Sequence, residues 1–238
     1  NEYNTRAHLL HTTVEEDALS PQGQSFLLRK FDEGERDRQR IDLLVQWTPT
    51  DTFSATPTVG WRYDDYIRST LGLQQETSWS AGTDLSWTPV ERVSIFGGYV
   101  HESILQKQRS RSRPVETAVS AICPVPNCTR DFADFDWISV NTDTIDTYHL
   151  GVKVSLIPKV LDWSLTGNYS SALGSIETRN PVGPASGTAA QNLTARAKPM
   201  PAFEDSLLRL ETGLKYHFWK NWTAGVAYIF ESFEKTDW

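Results

Sequence analysis

The stretch Val45-Gln46-Trp47-Thr48-Pro49-Thr50-Asp51-Thr52-Phe53 returns in similar form as Leu85-Ser86-Trp87-Thr88-Pro89-Val90-Glu91-Arg92-Val93. In both stretches, two segments of alternating polarity meet at a very short turn that carries tryptophan and proline. Weaker versions lie at residues 155–161 and 216–222, and long polar segments separate the four turns. Short turns at one end of a sheet and long loops at the other are typical of an outer-membrane β-barrel.

Most segments between these turns alternate polar and apolar residues over eight or more positions, which indicates β-strands. In residues 147–156 one face carries Tyr148, Leu150, Val152, Val154 and Leu156, and the other face is polar. The pattern predicts about nine antiparallel up-and-down strands, of which residues 2–12 form the first. Short turns are predicted near residues 48–51, 88–91, 157–159 and 219–221, and long loops near residues 14–37, 64–75, 105–144 and 171–205.

No shift in composition divides the chain, so residues 1–238 are predicted to form a single barrel segment without separate domains. An odd number of strands leaves open sheet edges, whose unpaired backbone groups are costly in lipid. The last residues also turn polar instead of ending as a closing strand. The sequence therefore predicts a segment of a larger barrel. Pro57 lies inside one strand pattern, where it removes a ladder hydrogen bond unless it is at a bulge.

The overall composition excludes several other classes of protein. The net charge of −7 disfavours a nucleic-acid partner. No segment approaches the roughly 18 apolar residues that a membrane-spanning helix needs. Nine tryptophans and eight tyrosines are present, and both residue types favour the boundary between membrane and water.

The placement of the aromatic residues separates a membrane barrel from a soluble β-sandwich, which would alternate in the same way. In a sandwich, the apolar face would be a closed core. Here the aromatic residues lie near the strand ends, as an interfacial girdle requires: Trp47, Trp87, Trp219 and Trp222 lie at the short turns, and Tyr63, Tyr99 and Tyr169 lie near the far ends. The barrel is the favoured interpretation, with the sandwich as the alternative.

The polar face of the predicted strands carries charges of both signs. The candidate contact residues for a partner in the lumen are Arg40, Asp42, Arg62, Asp84, Glu102, His149, Lys153, Arg209, Glu211 and Lys215. Mixed charge suits the docking of a folded, hydrated partner, whereas a ring of one sign suits ion selectivity. From the residues alone, the lining of a water-filled pore is the favoured interpretation.

The sequence contains no catalytic constellation, because its five histidines are dispersed, and we predict that the protein is not an enzyme. Cys123 and Cys128 lie in a proline-containing loop, where an exported protein would join them in a disulfide. Two free thiols are the alternative. A group of loop carboxylates could bind Ca²⁺ at the outer rim, although solvated side chains are the favoured interpretation: these are Asp64, Asp65, Asp131, Asp134 and Asp136.

The end of the chain resembles a known family. Tyr228-Ile229-Phe230-Glu231-Ser232-Phe233, followed by Thr236-Asp237-Trp238, is similar to the Tyr-x-(Tyr/Phe)-Glu-x-(Tyr/Phe)…Asp-Trp signature of the MtrB/PioB outer-membrane barrels. Three further stretches agree in order and spacing: Tyr63-Asp64-Asp65-Tyr66 with Leu71-Gly72-Leu73, residues 106–111, and Asp136-Trp137 leading to residues 143–147. The resemblance spans residues from about 36 to the end.

The resemblance implies the C-terminal portion of a very large barrel in the bacterial outer membrane, with about 26 strands. It implies short turns in the periplasm and long loops outside the cell. Barrels of this kind act as a sheath around a periplasmic multihaem c-type cytochrome and insulate electron transfer across the membrane. An extracellular multihaem cytochrome is a further implied partner. Haem is expected on the cytochrome and no cofactor on this chain, which has no Cys-x-x-Cys-His motif. The alternative function is a general or substrate-specific porin.

Overall fold

The computed structural model describes residues 28–29, 34–112, 132–219 and 222–236, and in them the chain is almost entirely β-sheet. The strands are β1 (Leu28–Arg29), β2 (Asp37–Leu44), β3 (Trp47–Thr50), β4 (Phe53–Asp65), β5 (Leu71–Val90), β6 (Val93–Arg111), β7 (Asp136–Ile157), β8 (Leu161–Arg179), β9 (Phe203–Trp219) and β10 (Trp222–Thr236). A 3₁₀ turn at Ala133–Phe135 and a short helix α1 at Ala189–Thr194 complete this part of the chain. No helix within these ranges is long and apolar enough to cross a membrane.

The nine antiparallel strands β2–β10 follow an up-and-down path, because each long strand pairs with the next one in sequence. This confirms the predicted fold class. Within the described ranges, β10 pairs only with β9, and β2 and β3 pair only with β4, so the sheet does not close on itself. It is consistent with one arc of a larger barrel. The short strand β1 adds a parallel pairing to the start of β5. The strand predicted at residues 2–12 lies outside the described residues.

The break between β2 and β3 has a cause in the facing strand. Pro57 on β4 has no backbone N–H, so it cannot donate to this ladder. The pairing lapses between Leu44 and Trp47, although the Val45 amide still donates to the Pro57 carbonyl at 3.1 Å. A register shift follows between Trp47 and Thr50. The hydrogen bond that Pro57 cannot donate therefore falls next to an irregularity in the sheet. The strand predicted up to Trp47 is divided there into β2 and β3.

The predicted short turns are confirmed. Asp51–Thr52 connects β3 to β4, Glu91–Arg92 connects β5 to β6, and residues 158–160 connect β7 to β8. Trp219 and Trp222 face each other across the last hairpin. All four turns lie at the same end of the sheet, because the strands between them alternate in direction. We call this the turn end and the opposite end the loop end.

At the loop end the predicted loop bounds were wrong, because the strands run further than expected. β6 continues to Arg111 and β7 begins at Asp136, so strands take up both ends of the predicted loop 105–144. The predicted loop 171–205 is shortened to residues 180–202. Beyond the apolar band both faces of a strand are polar, so the sequence no longer alternates between polar and apolar residues. The backbone ladder nevertheless continues, because its hydrogen bonds do not depend on side-chain polarity.

Register places the alternating residues on two distinct faces. One row of directly paired residues runs across six strands of the apolar face: Leu85, Gly97, Leu150, Gly167, Leu210 and Phe230. Leu150 is 65% exposed, Leu165 40% and Leu210 41%, so no described protein layer covers this face. A sandwich would bury these leucines in a closed core. The apolar face therefore requires a non-protein cover or another chain.

Candidate functional site

The ten predicted partner-contact residues all lie on the face opposite the apolar face. Register shows this directly along one row, where Asp84, Gly98, His149, Asn168, Arg209 and Glu231 are successive partners on β5 to β10. Glu102 pairs with Ser80, Arg62 with Arg40, and Lys153 with Ser164 on the same face. We call this face of β2–β10 the polar wall.

The charges of the polar wall are mostly paired with one another. Arg40 Nε donates to Asp42 Oδ2 at 2.6 Å, and Arg62 forms an ion pair with Glu76. Arg209 bridges two carboxylates, at 3.3 Å from Glu211 Oε2 and 3.2 Å from Glu231 Oε1. Exposed pairs such as these contribute only about 0–1 kcal/mol each to stability. Their main effect is therefore on the potential of the wall, which they keep locally neutral.

Two histidines on the polar wall also face carboxylates on other strands. His149 Nε2 lies 3.2 Å from Asp84 Oδ1, across the intervening strand β6. Gly98 lies between them, and a Cβ there would come within 2.7 Å of the Asp84 carboxylate. His217 Nε2 lies 3.1 Å from Asp162 Oδ2. The absence of a side chain at Gly98 is what allows His149 to lie across the sheet.

Gly151 also receives a large neighbour on the polar wall. The Phe96 ring occupies the space that a Cβ on Gly151 would take. Lys153 Nζ in turn lies 5.2 Å from the centre of the Phe96 ring, within cation–π range. Glycines occupy polar-wall positions on six strands: Gly60, Gly82, Gly98, Gly151, Gly213 and Gly225. At Gly98 and Gly151, the neighbouring His149 and Phe96 side chains therefore lie along the wall.

Two polar hollows interrupt this wall. One, of about 250 Å³, lies between β2 and β6 and includes Arg40, Arg62 and Glu102 in its lining. The other, of about 330 Å³, lies at the turn end and includes Lys153, Asp162 and Lys215. The first hollow contains the internal ion pair of Arg40 with Asp42, whereas the lysines of the second are not in ion pairs with described residues.

At the loop end, arginines neutralise two buried carboxylates that the sequence analysis considered as calcium ligands. Asp64 is only 1% exposed, and both of its oxygens accept hydrogen bonds from Arg38 at 2.7 Å. The Arg38 guanidinium lowers the pKa of Asp64 below its usual range, with smaller contributions from Arg36 and Arg62. This end of β4 lies beyond the apolar band. Charge neutralisation by arginine leaves Asp64 without the free negative charge that a cation site needs.

Asp136 is held in the same way by Arg109 and Arg111 on the facing strand, with Arg109 Nη2 at 2.6 Å. Within the described ranges, no three histidine, cysteine or acidic side chains gather into a metal-binding group. Asp131 lies outside those ranges, as do Cys123 and Cys128. Neither arginine–aspartate cluster was predicted from the sequence, although arginine at every second position near residues 36–40 and 109–111 was a visible signal.

Another loop-end carboxylate ties two connections together. Asp134 Oδ2 accepts hydrogen bonds from the backbone amides of Ala185 at 2.7 Å and Ser186 at 2.9 Å. These bonds lower the pKa of Asp134. Nearby, Phe135 is fully buried and packs close to Gly187. The end of the 112–135 connection and the 180–202 connection therefore fold against each other.

The apolar face carries aromatic rings at both of its ends. Towards the loop end, the Tyr148 ring lies 4.8 Å from Tyr99 and 6.4 Å from Tyr169, and Trp61 pairs with Trp79. The turn end has its own rings on the same face: Trp47, Phe53, Trp87, Tyr216 and Trp222. Trp79 and Trp87 on β5 are separated by about 27 Å of strand path. A barrel tilt of about 40° reduces this distance to about 20 Å along the membrane normal. Since the rings add to the width of the band at both ends, the spacing is comparable to the roughly 25 Å height of an outer-membrane apolar band.

The comparison with protein families agrees with this geometry. A family model described as "outer membrane beta-barrel porin, MtrB/PioB" matches residues 3–238. No curated protein matches the chain.

Proposed function

The chain belongs to the MtrB/PioB family of outer-membrane β-barrel porins, and on that premise we propose that it is part of a sheath around a multihaem c-type cytochrome. The family places the protein in the outer membrane, in contact with the lipid bilayer, and describes a porin and not an enzyme. The cytochrome occupies the lumen, carries all the haem, and conducts electrons across the membrane. The barrel keeps lipid and bulk water away from that path, and an extracellular multihaem cytochrome receives or delivers the electrons outside.

The observation that carries this proposal is the polar wall. The cores of protein–protein interfaces are depleted of charged residues and packed with high shape complementarity. Gly98 and Gly151 let His149 and Phe96 lie along the sheet, and Arg209 is neutralised by Glu211 and Glu231. A wall of this kind supports extended contact with a hydrated protein surface.

The open sheet also supports an occupant of protein size. Eight strand positions lie side by side from β2 and β3 to β10, and the outermost ones do not pair with each other within the described ranges. An eight-stranded barrel has an interior just wide enough for its own side chains. An arc that already uses as many strands without closing supports a wider barrel, which the proposed occupant requires.

The cofactor follows from the same proposal. The described wall gathers no group of metal-ligating side chains, and the sequence has no Cys-x-x-Cys-His haem attachment motif. In the proposed complex, haem is carried by the cytochrome. When bound, that cytochrome supplies the electron-transfer chemistry, and this chain supplies position and insulation.

The alternative is a porin with a water-filled lumen, which the same polar wall would line. The two functions differ in what remains bound to the purified barrel. We expect barrel extracted from outer membranes in mild detergent to retain a haem-staining protein in a fixed ratio. We also expect the complex to conduct ions poorly in a planar bilayer, with conductance rising once the haem protein is removed by denaturant.

The result that contradicts the sheath is equally specific. A barrel that purifies without haem at every ionic strength, and that conducts ions at once, is a porin without a cytochrome. Protein extracted from membranes that lack all c-type cytochromes is the control for the conductance measurement, because the same barrel should then be open.

A further inference from the structure

We infer that the turn-end hollow of the polar wall is a docking site for a carboxylate-rich patch on the protein that occupies the lumen. This inference rests on the proposed function and names the surface of the partner that the wall would meet. The hollow lies among β6, β7, β8 and β9 and has a volume of about 330 Å³. We call it the basic hollow.

The floor of the basic hollow is made of short side chains. Ser94 and Ser164 flank Lys153 as its direct partners on the two neighbouring strands. On β9, Lys215 lies opposite Gly225 of β10, and a Cβ there would meet its Cγ at 3.7 Å. Both lysines are exposed. Their ammonium groups therefore stand at the edge of a depression where a partner's side chain can reach them.

The charges of the basic hollow are not balanced internally. Arg92, Lys153 and Lys215 line it, and none of them forms an ion pair with a described residue. Two carboxylates are also present, Glu91 at the exposed turn and Asp162. Asp162 lies directly opposite Lys215 and attracts it electrostatically, but one of its oxygens accepts a hydrogen bond from Ser155 Oγ and the other lies 3.1 Å from His217. Three positive side chains therefore face two carboxylates in the hollow.

Elsewhere on the wall, most charged side chains form ion pairs with one another, as Arg40 does with Asp42 and Arg209 does with Glu211 and Glu231. The basic hollow is therefore a local excess of positive charge on a nearly neutral surface. A negatively charged group is the chemistry that completes it, because oppositely charged patches fix the register and raise the rate of association.

The position of the hollow favours a protein over a free anion. Short turns of outer-membrane barrels face the periplasm, so Arg92 and its neighbours lie where a periplasmic protein first meets the lumen. Long-range attraction at that point steers an acidic surface into the barrel. A small anion would instead need converging donors, and the Ser155 hydroxyl already donates to Asp162. We therefore assign an acidic patch of protein to this site.

The test uses the double charge reversal Lys153→Glu/Lys215→Glu in the whole barrel. Lys159→Glu is the matched control, because Lys159 lies in the neighbouring turn at residues 158–160 and does not line the hollow. The first readout is the Soret absorbance of haem protein retained per barrel after washes from low to high NaCl. The second is binding of a fluorescent ten-residue glutamate peptide to barrel emptied of its partner, with inorganic phosphate as the competing free anion.

We expect the double reversal to weaken peptide binding at least about tenfold at low salt, because like charges across an interface repel. Haem protein should leave the double variant at lower NaCl than it leaves the wild type, and Lys159→Glu should match the wild type. Heat-modifiability of the barrel on gels verifies that all three proteins are folded.

Three results would overturn the inference. The first is equal peptide binding by the double variant and the wild type. The second is a loss of peptide binding in Lys159→Glu as large as that in the double variant. The third is displacement of the peptide by phosphate at equal anion charge, which would indicate a free-anion site. Failure of the proposed function is distinguishable, because the wild type would then retain no haem protein whether or not the peptide binds.

Discussion

Replacing Val152 by arginine is the sharpest perturbation of the apolar face. Val152 lies between its direct partners Ile95 and Leu165, so an arginine there is surrounded by apolar neighbours. It lies four residues from Tyr148, the start of the loop-end aromatic row, or about 13 Å of strand path. At a tilt of about 40° this is about 10 Å along the membrane normal, more than an extended arginine side chain reaches.

A lipid-facing arginine at mid-bilayer costs about 2–4 kcal/mol in an outer-membrane barrel, and the geometry at Val152 gives no reason for a smaller value. The adjacent residue provides the matched control. Lys153 lies on the polar wall, and Lys153→Gln loses at most the cation–π contact with Phe96, about 0.5–1 kcal/mol at an exposed site.

The assay is denaturant unfolding of barrel refolded into lipid vesicles, followed by protease protection and heat-modifiability on gels. We expect Val152→Arg to lower the free energy of unfolding by at least about 1 kcal/mol more than Lys153→Gln does. Equal destabilisation by the two variants would show that neither face is selectively in hydrocarbon and would refute the assignment of faces.

Three further substitutions address the polar wall and the loop end. Gly98→Val should destabilise the barrel by about 1–3 kcal/mol in the same unfolding assay, because its side chain overlaps its neighbours, whereas Gly183→Val meets nothing within 4 Å and should be near neutral. Asp64 has a lowered pKa in the folded protein, so its stabilising effect is present above the unfolded pKa of about 4 and is lost as the pH falls through the folded pKa. Hydrogen exchange at the loop end of β4 should therefore speed up in acid. In Asp64→Asn, exchange there should already be fast at neutral pH, because Arg38 loses its partner, and acid should not speed it further. Asp134→Ala removes the acceptor for two loop amides, and limited proteolysis should then cut the 180–202 connection faster, at an unchanged rate elsewhere.

The hairpins and the two faces could be predicted because the physical signal is local. Pro49 and Pro89 mark the turns with neighbouring tryptophans, and residues 147–156 alternate without interruption. Period-two alternation follows directly from strand geometry. Once the strands are adjacent in sequence order, register brings the polar residues of all of them to one wall.

The strand ends could not be predicted, because they depend on pairing and not on polarity. β6 extends to Arg111 and β7 begins at Asp136, in sequence where both faces are polar. The contact of Arg109 with Asp136 joins residues 27 positions apart, and nothing local to either residue specifies it. The same holds for His149, which reaches Asp84 only because Gly98 leaves a gap on the strand between them.

The identity of the lumen partner was suggested by family resemblance and not by any single residue. The individual charges of the wall suit a water-filled pore as well as a docked protein. What the structure adds is their arrangement, in which Arg209 is paired with two glutamates, while Lys153 and Lys215 line a hollow at the turn end.

The most direct test of the central claim measures what each face touches. Spin labels at Leu150→Cys and Lys153→Cys, with Cys123 and Cys128 changed to serine, would sit on the apolar face and the polar wall of the same strand in membrane-embedded barrel. We expect the label at 150 to relax with dissolved oxygen, which concentrates in hydrocarbon. The label at 153 should instead show little oxygen enhancement, and it should respond to a water-soluble nickel chelate once the lumen is empty. Labels that respond alike, or in the reverse order, would contradict the assignment of one face to lipid and the other to the lumen.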